Sequence, residues 1–198
     1  MTYLHLTGAL ALTAVSSETP VRYPYANIIQ TILAFIVLFL LMGARPGPYK
    51  YILFAAFCIL FGQILSPVVR DLEARGQLRE VLASVAGIFV AMTVVGFADK
   101  QNLLGFGGYL LAALVGLILA RLLLIVVKLG NPSASVAKVN TLLNWVGTAL
   151  FAVFVAYDTQ LLKHRQNQRQ MQRNPDYVDA SLGLFLDIIN LFSLQSDS

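Results

Sequence analysis

The sequence predicts an all-α integral membrane protein, a bundle of six to seven transmembrane helices, and three observations support this fold class. Apolar residues make up 58% of the chain and charged residues only 12%, and the mean hydropathy is +0.72. A soluble domain has roughly 25% charged residues and less than half apolar ones. The apolar residues form long runs, and these runs lack the strict alternation that is typical of transmembrane strands.

Each candidate span is an apolar run, because a helix rises about 1.5 Å per residue and the hydrocarbon core is about 30 Å thick. The runs cover residues 3–17, 26–43, 49–69, 79–98, 103–127, 139–162 and 180–194. The last run is short for a full span, so we expect a short tilted helix or a re-entrant segment. A signal peptide is the alternative for the first run, although that run lacks a basic start and is interrupted by His5 and Thr7.

The chain is predicted to form a single transmembrane domain over residues 1–198, because no Ser/Gly-rich linker divides it. The longest polar connection, residues 163–177, is expected to be a solvated loop. It carries the densest basic cluster, and the positive-inside tendency places it in the cytoplasm together with the N-terminus. Basic residues at the ends of apolar runs favour a lipid bilayer as the partner and argue against nucleic-acid binding.

Small residues recur inside the runs at 79–98 and 103–127, where glycine, alanine and serine are frequent. Apolar burial gives no net drive for association between helices in lipid, and small residues allow close approach of the backbones. We therefore expect tight helix packing at these positions.

Three ionisable residues lie inside the apolar runs. Asp187 is near the middle of the last run, Asp158 is about one turn inside the sixth, and Arg121 interrupts the fifth. A charge in hydrocarbon costs at least about 2.5 to 3.5 kcal/mol, so such groups usually face water or a partner. Asp158 is also compatible with a solvated helix-end acid, and Arg121 with a side chain that extends to the interface. Asp187, flanked by leucine, isoleucine and phenylalanine, is the strongest functional candidate.

Residue sets that would indicate enzyme chemistry are absent from the sequence. His5 and His164 are far apart, with no cysteine near either to complete a transition-metal site. The glycines at 105–108 follow no strand and form no phosphate-binding fingerprint, and Ser66 does not lie in a nucleophile elbow. We therefore predict that the protein is not an enzyme and has no cofactor.

Two C-terminal motifs resemble those of the Bax inhibitor family, also called the transmembrane Bax inhibitor motif family. They are VAYDTQLL at residues 155–162 and DYVDASLGLFLDIINLF at residues 176–192. Weaker likenesses in FGQILSPVV, VAGIFVAMTVVGFA and LLGFGGYLLAAL extend the match over most of the chain. The two C-terminal motifs are specific, whereas the others alone would be weak.

The resemblance implies a seven-segment helical membrane protein that leaks calcium in a pH-sensitive way. Eukaryotic members lie largely in endoplasmic reticulum or Golgi membranes and suppress cell death, and bacterial members lie in the inner membrane. The paired acids of the family fall on Asp158 and Asp187. The resemblance also implies a latch between this pair and a basic residue of an early span, for which Arg45, Lys50 and Arg70 are the candidates.

The predicted function is therefore a pH-sensitive calcium leak channel gated by an intramembrane carboxylate pair. Two carboxylates held together at low dielectric titrate as a unit, and charged carboxylate oxygens suit Ca²⁺, so Asp158 and Asp187 are also candidate contacts for the transported ion. A role in suppressing cell death through calcium homeostasis, with death-pathway proteins as partners, follows from the resemblance. The alternatives are a proton-coupled transporter and a non-conducting membrane scaffold that regulates death-pathway proteins.

Overall fold

The computed structural model describes residues 1–19, 26–98, 102–130, 134–169 and 176–197. These residues form seven α-helices, with a short 3₁₀-helix, Leu103–Phe106, before the fifth. The α-helices are α1 Thr2–Ser17, α2 Ala26–Gly43, α3 Pro48–Ala74, α4 Leu78–Ala98, α5 Gly107–Gly130, α6 Ala134–Arg169 and α7 Tyr177–Ser196. The predicted all-α integral membrane fold is confirmed.

Five segments of the described chain are long and apolar enough to cross a membrane. They are Pro48–Ala74, Leu78–Ala98, Leu103–Leu129, Val136–Gln166 and Tyr177–Ser196. The apolar helix Asn27–Gly43 is shorter, and α1 has 16 residues. The last helix was expected to be short, over residues 180–194, but it has 20 residues and is long enough to span.

The expected loop at residues 163–177 is wrong over its first part, because α6 continues as a helix to Arg169. This stretch has no glycine or proline before position 175 and is rich in lysine, arginine and glutamine, which are good helix formers. Its polarity suggested a loop, whereas its helix propensity determined the structure. Residues 170–175, which include Arg173 of the basic cluster, lie outside the described part of the chain.

The end of α3 shows why this helix extends to Ala74, beyond the expected residue 69. Gly76 adopts a φ of 70°, a left-handed conformation that suits glycine. The amide of Gly76 donates to the carbonyl of Glu73, and that of Gln77 donates to the carbonyl of Leu72. These two bonds form a Schellman motif, which satisfies carbonyls that the end of a helix leaves without partners.

The chain divides into two compact units, and the first comprises Met1–Arg79 and Gln168–Leu186. In unit 1, α3 packs against both α1 and α2. A side chain at Gly62 would collide with Thr13 and Ser16, so the small residue permits the close approach of α1 and α3. The Thr13 hydroxyl donates to the carbonyl of Cys58 at 3.1 Å, which adds a polar bond between the same two helices.

The beginning of α7 also belongs to unit 1. The ring of Phe185 lies 6.1–6.3 Å from the rings of Phe54, Phe57 and Phe61 on α3. The Ser181 hydroxyl donates to the carbonyl of Thr2 at 3.0 Å. An aromatic cluster and a polar bond therefore attach the first half of α7 to α3 and α1.

Unit 2 comprises Glu80–Asn167 and Asp187–Ser198, and α6 contacts three other helices within it. A methyl group at Gly96 of α4 would lie 2.5 Å from the carbonyl oxygen of Ala156. One at Gly107 of α5 would lie 2.5 Å from the Tyr157 hydroxyl, and one at Gly147 would lie 2.9 Å from Leu194 of α7. The expected tight packing is thus found at Gly107, and also at Gly96, but the expectation is wrong for Gly87, Gly105, Gly108 and Gly116, where nothing lies within 4 Å of an added methyl group.

We expect Gly96→Ala to destabilise the protein by roughly 1–3 kcal/mol, a typical cost of overpacking. The new methyl group would also meet Cβ of Thr159 at 2.7 Å, and neither this atom nor the carbonyl of Ala156 can swing away. Thermal unfolding of the detergent-solubilised protein, followed by circular dichroism, measures the effect. Gly87→Ala on the same helix is the matched control, because nothing lies within 4 Å of the added atom. Equal melting temperatures for the two variants would contradict the close contact of α4 with α6.

Candidate functional site

Asp187 lies in the middle of α7, and its side chain is buried in an apolar environment. Only 5% of the residue is exposed. Its Oδ2 atom has no hydrogen-bond partner among the described residues. Ile189 and Leu191, two and four residues further along α7, are also buried. A carboxyl group in this environment is costly to ionise and is typical of a functional position in a membrane protein.

Asp158 lies on α6 and is half-buried. Its carboxyl group acts electrostatically on that of Asp187, so the structure brings the two predicted acids together within unit 2. The positive charge of Arg165, about two turns further along α6, attracts the Asp158 carboxylate, whereas Asp187 repels it. Arg165 is exposed, so a solvent-accessible cation acts on Asp158.

The residues on either side of Asp158, in the sequence Tyr-Asp-Thr-Gln, each contact a neighbouring helix. Tyr157 packs on Gly107 of α5, and Thr159 packs on Gly96 of α4. The Gln160 side chain accepts a hydrogen bond of 2.7 Å from the backbone amide of Leu103, at the start of the 3₁₀-helix. Three of the four residues therefore fix α6 against α4 and the start of α5, and they hold the remaining residue, Asp158, in place.

Lys50, a candidate for the latch cation, forms a different cluster in unit 1. Its Nζ atom lies 2.6 Å from a carboxylate oxygen of Asp176 and 2.6 Å from one of Asp179. The Lys50 side chain is 2% exposed, so the two acids neutralise a buried ammonium group. The described contacts of Lys50 are therefore with acids at the start of α7, and its role as latch cation for Asp158 and Asp187 stays a prediction.

The other two latch candidates are also in unit 1. The Arg70 guanidinium donates to the carbonyl of Glu18 at 3.3 Å, and Arg45 is exposed. Their roles at the acid pair likewise stay predictions.

Sequence reasoning missed Asp176 and Asp179 as the partners of Lys50. An acid before an apolar run is a signal for a helix N-terminus, and the structure bears this out. Asp176 Oδ1 accepts hydrogen bonds from the amides of Val178 and Asp179 at 3.1 and 3.2 Å. The signal finds the start of α7, but it carries no information about a lysine 126 residues earlier.

The pKa of Asp176 is lowered from its ordinary value. Burial acts to raise it, but the hydrogen bond from Lys50, the amide of Asp179 and the positive charge of Lys50 together outweigh burial. The charged form of Asp176 is thus the one that the native structure stabilises.

The acids of the site do not form a dense metal cage. Among the residues the structure describes, no group of three or more histidine, cysteine, aspartate or glutamate side chains could hold a metal ion. Ca²⁺ takes six to eight oxygen ligands when it is bound tightly.

The long apolar helices define an integral membrane protein of the all-α class. The chain belongs to the Bax inhibitor family, since the family model described as Inhibitor of apoptosis-promoting Bax1 matches residues 1–195.

Relatives in a yeast and in a bacterium support this membership. The chain is 30% identical to Bax inhibitor 1 of Schizosaccharomyces pombe over 171 residues, which cover 86% of this chain and 59% of the yeast protein. It is also 30% identical to Inner membrane protein YbhL of Escherichia coli K12 over 200 residues, which cover 96% of this chain and 82% of the relative. The chain thus spans less than two thirds of the yeast relative and most of the bacterial one.

We expect Asp176→Asn to lower stability by about 1–3 kcal/mol at neutral pH, because it leaves the buried Lys50 with one acid instead of two. Asparagine caps a helix about as well as aspartate does, so the change removes the charge and keeps the cap. Because the native pKa of Asp176 is lowered, its stabilisation is present above the unfolded value of about 3.9 and is lost as pH falls through the lower native value.

Thermal unfolding of both proteins at pH 7 and near pH 3 tests this, and the difference in stability should shrink at the lower pH. Asp71→Asn is the matched control, since Asp71 pairs with Arg75 and both side chains are more than half exposed. Such a surface pair contributes at most about 1 kcal/mol. Equal losses in the two variants would refute the special role of the buried cluster.

Proposed function

We propose that this protein is a pH-sensitive calcium leak channel of the Bax inhibitor type, with Ca²⁺ as the transported ion and no cofactor. The observation that carries the proposal is that the carboxyl groups of Asp158 on α6 and Asp187 on α7 lie close enough to act on each other electrostatically. Membership of the family supports it, and so does the burial of Asp187 without a hydrogen-bond partner for Oδ2 in the described chain. The proposed activity involves no enzymatic step.

The gating mechanism rests on the number of protons that the pair holds. In the closed state that we propose, the two carboxyl groups share one proton in a hydrogen bond that holds α7 against α6, and this bond gives Asp187 Oδ2 the partner that it lacks in the described structure. Acidification adds the second proton and removes the ionised acceptor, so the segments separate more readily. Flux is therefore expected to rise as pH falls. The carboxylate oxygens of the pair are hard ligands of the kind that calcium prefers only while they are ionised, so protons and Ca²⁺ compete for them.

We propose the cellular setting from the resemblance to the family. The printed name of the Escherichia coli relative places that protein in the inner membrane. The corresponding location for this chain is the inner membrane in a bacterium, or the endoplasmic reticulum or Golgi membrane in a eukaryote, with the N-terminus in the cytoplasm. The description of the family model supports a part in restraining cell death through calcium homeostasis, with death-pathway proteins as partners.

Calcium flux into proteoliposomes between about pH 6 and 8 tests the proposal, since a coupled carboxylate pair can be tuned to that range. Wild-type flux should increase towards pH 6. Asparagine resembles the neutral acid, so Asp158→Asn and Asp187→Asn should each keep flux near its low-pH level across the whole range. The pH dependence should disappear in both variants.

Asp71→Asn is again the matched control, because it removes an exposed carboxylate of α3 and should preserve the wild-type profile. The proposed mechanism is wrong if both pair variants retain the wild-type flux and pH profile. Proton uptake that requires a second substrate would instead support a proton-coupled transporter, and a protein without flux at any pH would support a scaffold.

A further inference from the structure

The hairpin of α5 and α6 carries positive charge without an acid over a long stretch. Residues 107–157 contain Arg121, Lys128 and Lys138 and no aspartate or glutamate. The nearest acid along α6 is Asp158, which is 14 residues beyond Asn144 and so about 21 Å further along the helix. The cations of this hairpin therefore depend on groups outside this stretch for a counter-charge.

Two of these cations form a seam with two asparagines of α6. Arg121 Nη2 donates to Asn144 Oδ1 at 2.7 Å, and Lys128 Nζ donates to Asn140 Oδ1 at 3.1 Å. Residues seven apart on α5 and four apart on α6 lie on one side of their helices, so the four side chains form a continuous row. We call Arg121, Lys128, Asn140 and Asn144 the cationic seam.

The amide oxygens of the seam do not neutralise its charge. Asn144 is buried, and its Nδ2 atom donates to the backbone carbonyl of Asp197, so this asparagine is fixed in place. An amide contributes a dipole, whereas a guanidinium at low dielectric requires an anion. Within the described ranges, neither Arg121 nor Lys128 forms an ion pair. Arg121 is only half-exposed and uses one of its five donors on Asn144.

The surroundings of the seam identify where an anion can come from. Of the large aliphatic residues that follow Arg121, Leu122, Leu123, Ile125 and Val126 are exposed, as a lipid-facing surface requires, whereas Leu124 is buried. Ile125 lies one turn from Arg121, so the lipid-facing surface reaches the edge of the seam. Trp145, next to Asn144 in sequence, is 69% exposed, and exposed tryptophan is typical of the membrane–water interface. The backbone carbonyl of Asp197 accepts a hydrogen bond from Asn144, but within the described ranges its carboxylate pairs with neither Arg121 nor Lys128, so a lipid phosphate is the anion that we expect at this surface.

We propose that the cationic seam binds the phosphate of an anionic phospholipid headgroup. The fork of Arg121 matches a phosphate in a bidentate arrangement, and Lys128 supplies a second charge from the last turn of α5. Asn144 and Asn140 orient the two cations through bonds that leave most of their donors available. Basic clusters between transmembrane helices bind acidic headgroups by the same physics.

Native mass spectrometry of the full-length protein in detergent, titrated with phosphatidylglycerol and with phosphatidylcholine of the same acyl chains, tests the proposal. Phosphatidylglycerol should bind more tightly. Arg121→Gln and Lys128→Gln should each weaken its binding about fivefold, and the double variant about 25-fold, because each basic residue near an anionic headgroup contributes comparably. Binding of phosphatidylcholine should change little.

Two further variants separate binding from folding and from general charge. Arg121→Lys keeps the charge and loses the fork, so it should retain part of the affinity that Arg121→Gln loses. Arg75→Gln removes an arginine of unit 1 that already pairs with Asp71 and should bind phosphatidylglycerol as the wild type does. Circular dichroism confirms that each variant is folded.

Three results would overturn the proposal. The first is equal affinity of the wild type for the two lipids. The second is unchanged phosphatidylglycerol binding in the folded double variant. The third is complete displacement of the lipid by an equal concentration of inorganic phosphate, which would assign the seam to a free anion.

Discussion

A polar group inside a bilayer has no water to bond to, and this constraint explains the partners of many buried polar side chains of the protein. Thr13 donates to a carbonyl of the facing helix, Gln160 accepts from the amide of Leu103, and Lys50 is held by two acids. Several other buried oxygen atoms have no hydrogen-bond partner in the described structure, including the hydroxyls of Ser66 and Thr159, and Oδ2 of Asp187 is the carboxyl oxygen among them. An ionised carboxyl group costs more than a hydroxyl to bury without a partner, and this cost is the physical reason to propose a function for Asp187.

Close contact between helix backbones is the second constraint on the fold, and it explains the residues that α6 carries on either side of Asp158. Gly96 and Gly107 bring α4 and α5 against Ala156, Tyr157 and Thr159, where larger residues would force the helices apart. Asp158 therefore lies between residues that pack against α4 and α5 or form a hydrogen bond with the 3₁₀-helix before α5. A rigid α6 limits how far the carboxyl group of Asp158 can move away from α7, so the electrostatic coupling of the pair is maintained.

The sequence allowed prediction of features that depend on local composition. Apolar runs located the helices, and the isolated charges in them located Asp158, Asp187 and Arg121, because a charge in hydrocarbon is costly wherever it lies. The pairing of Lys50 with Asp176 could not be predicted, since nothing local links residues so far apart in the chain. The helical continuation of α6 to Arg169 was missed for a different reason: polarity and helix propensity pointed in opposite directions there.

The ion cluster of Lys50 has a consequence for biosynthesis. Lys50 leaves the ribosome 126 residues before Asp176, and both acids that neutralise it, Asp176 and Asp179, lie at the start of α7. At about 5–20 residues per second, the lysine waits roughly 6–25 s for its partners. During that interval α1, α2 and α3 are complete while the ammonium group is still uncompensated, so it must stay hydrated or at the membrane surface. Burial of Lys50 is thus a late event of maturation, and the arrival of α7 makes the early helices stable in their final position.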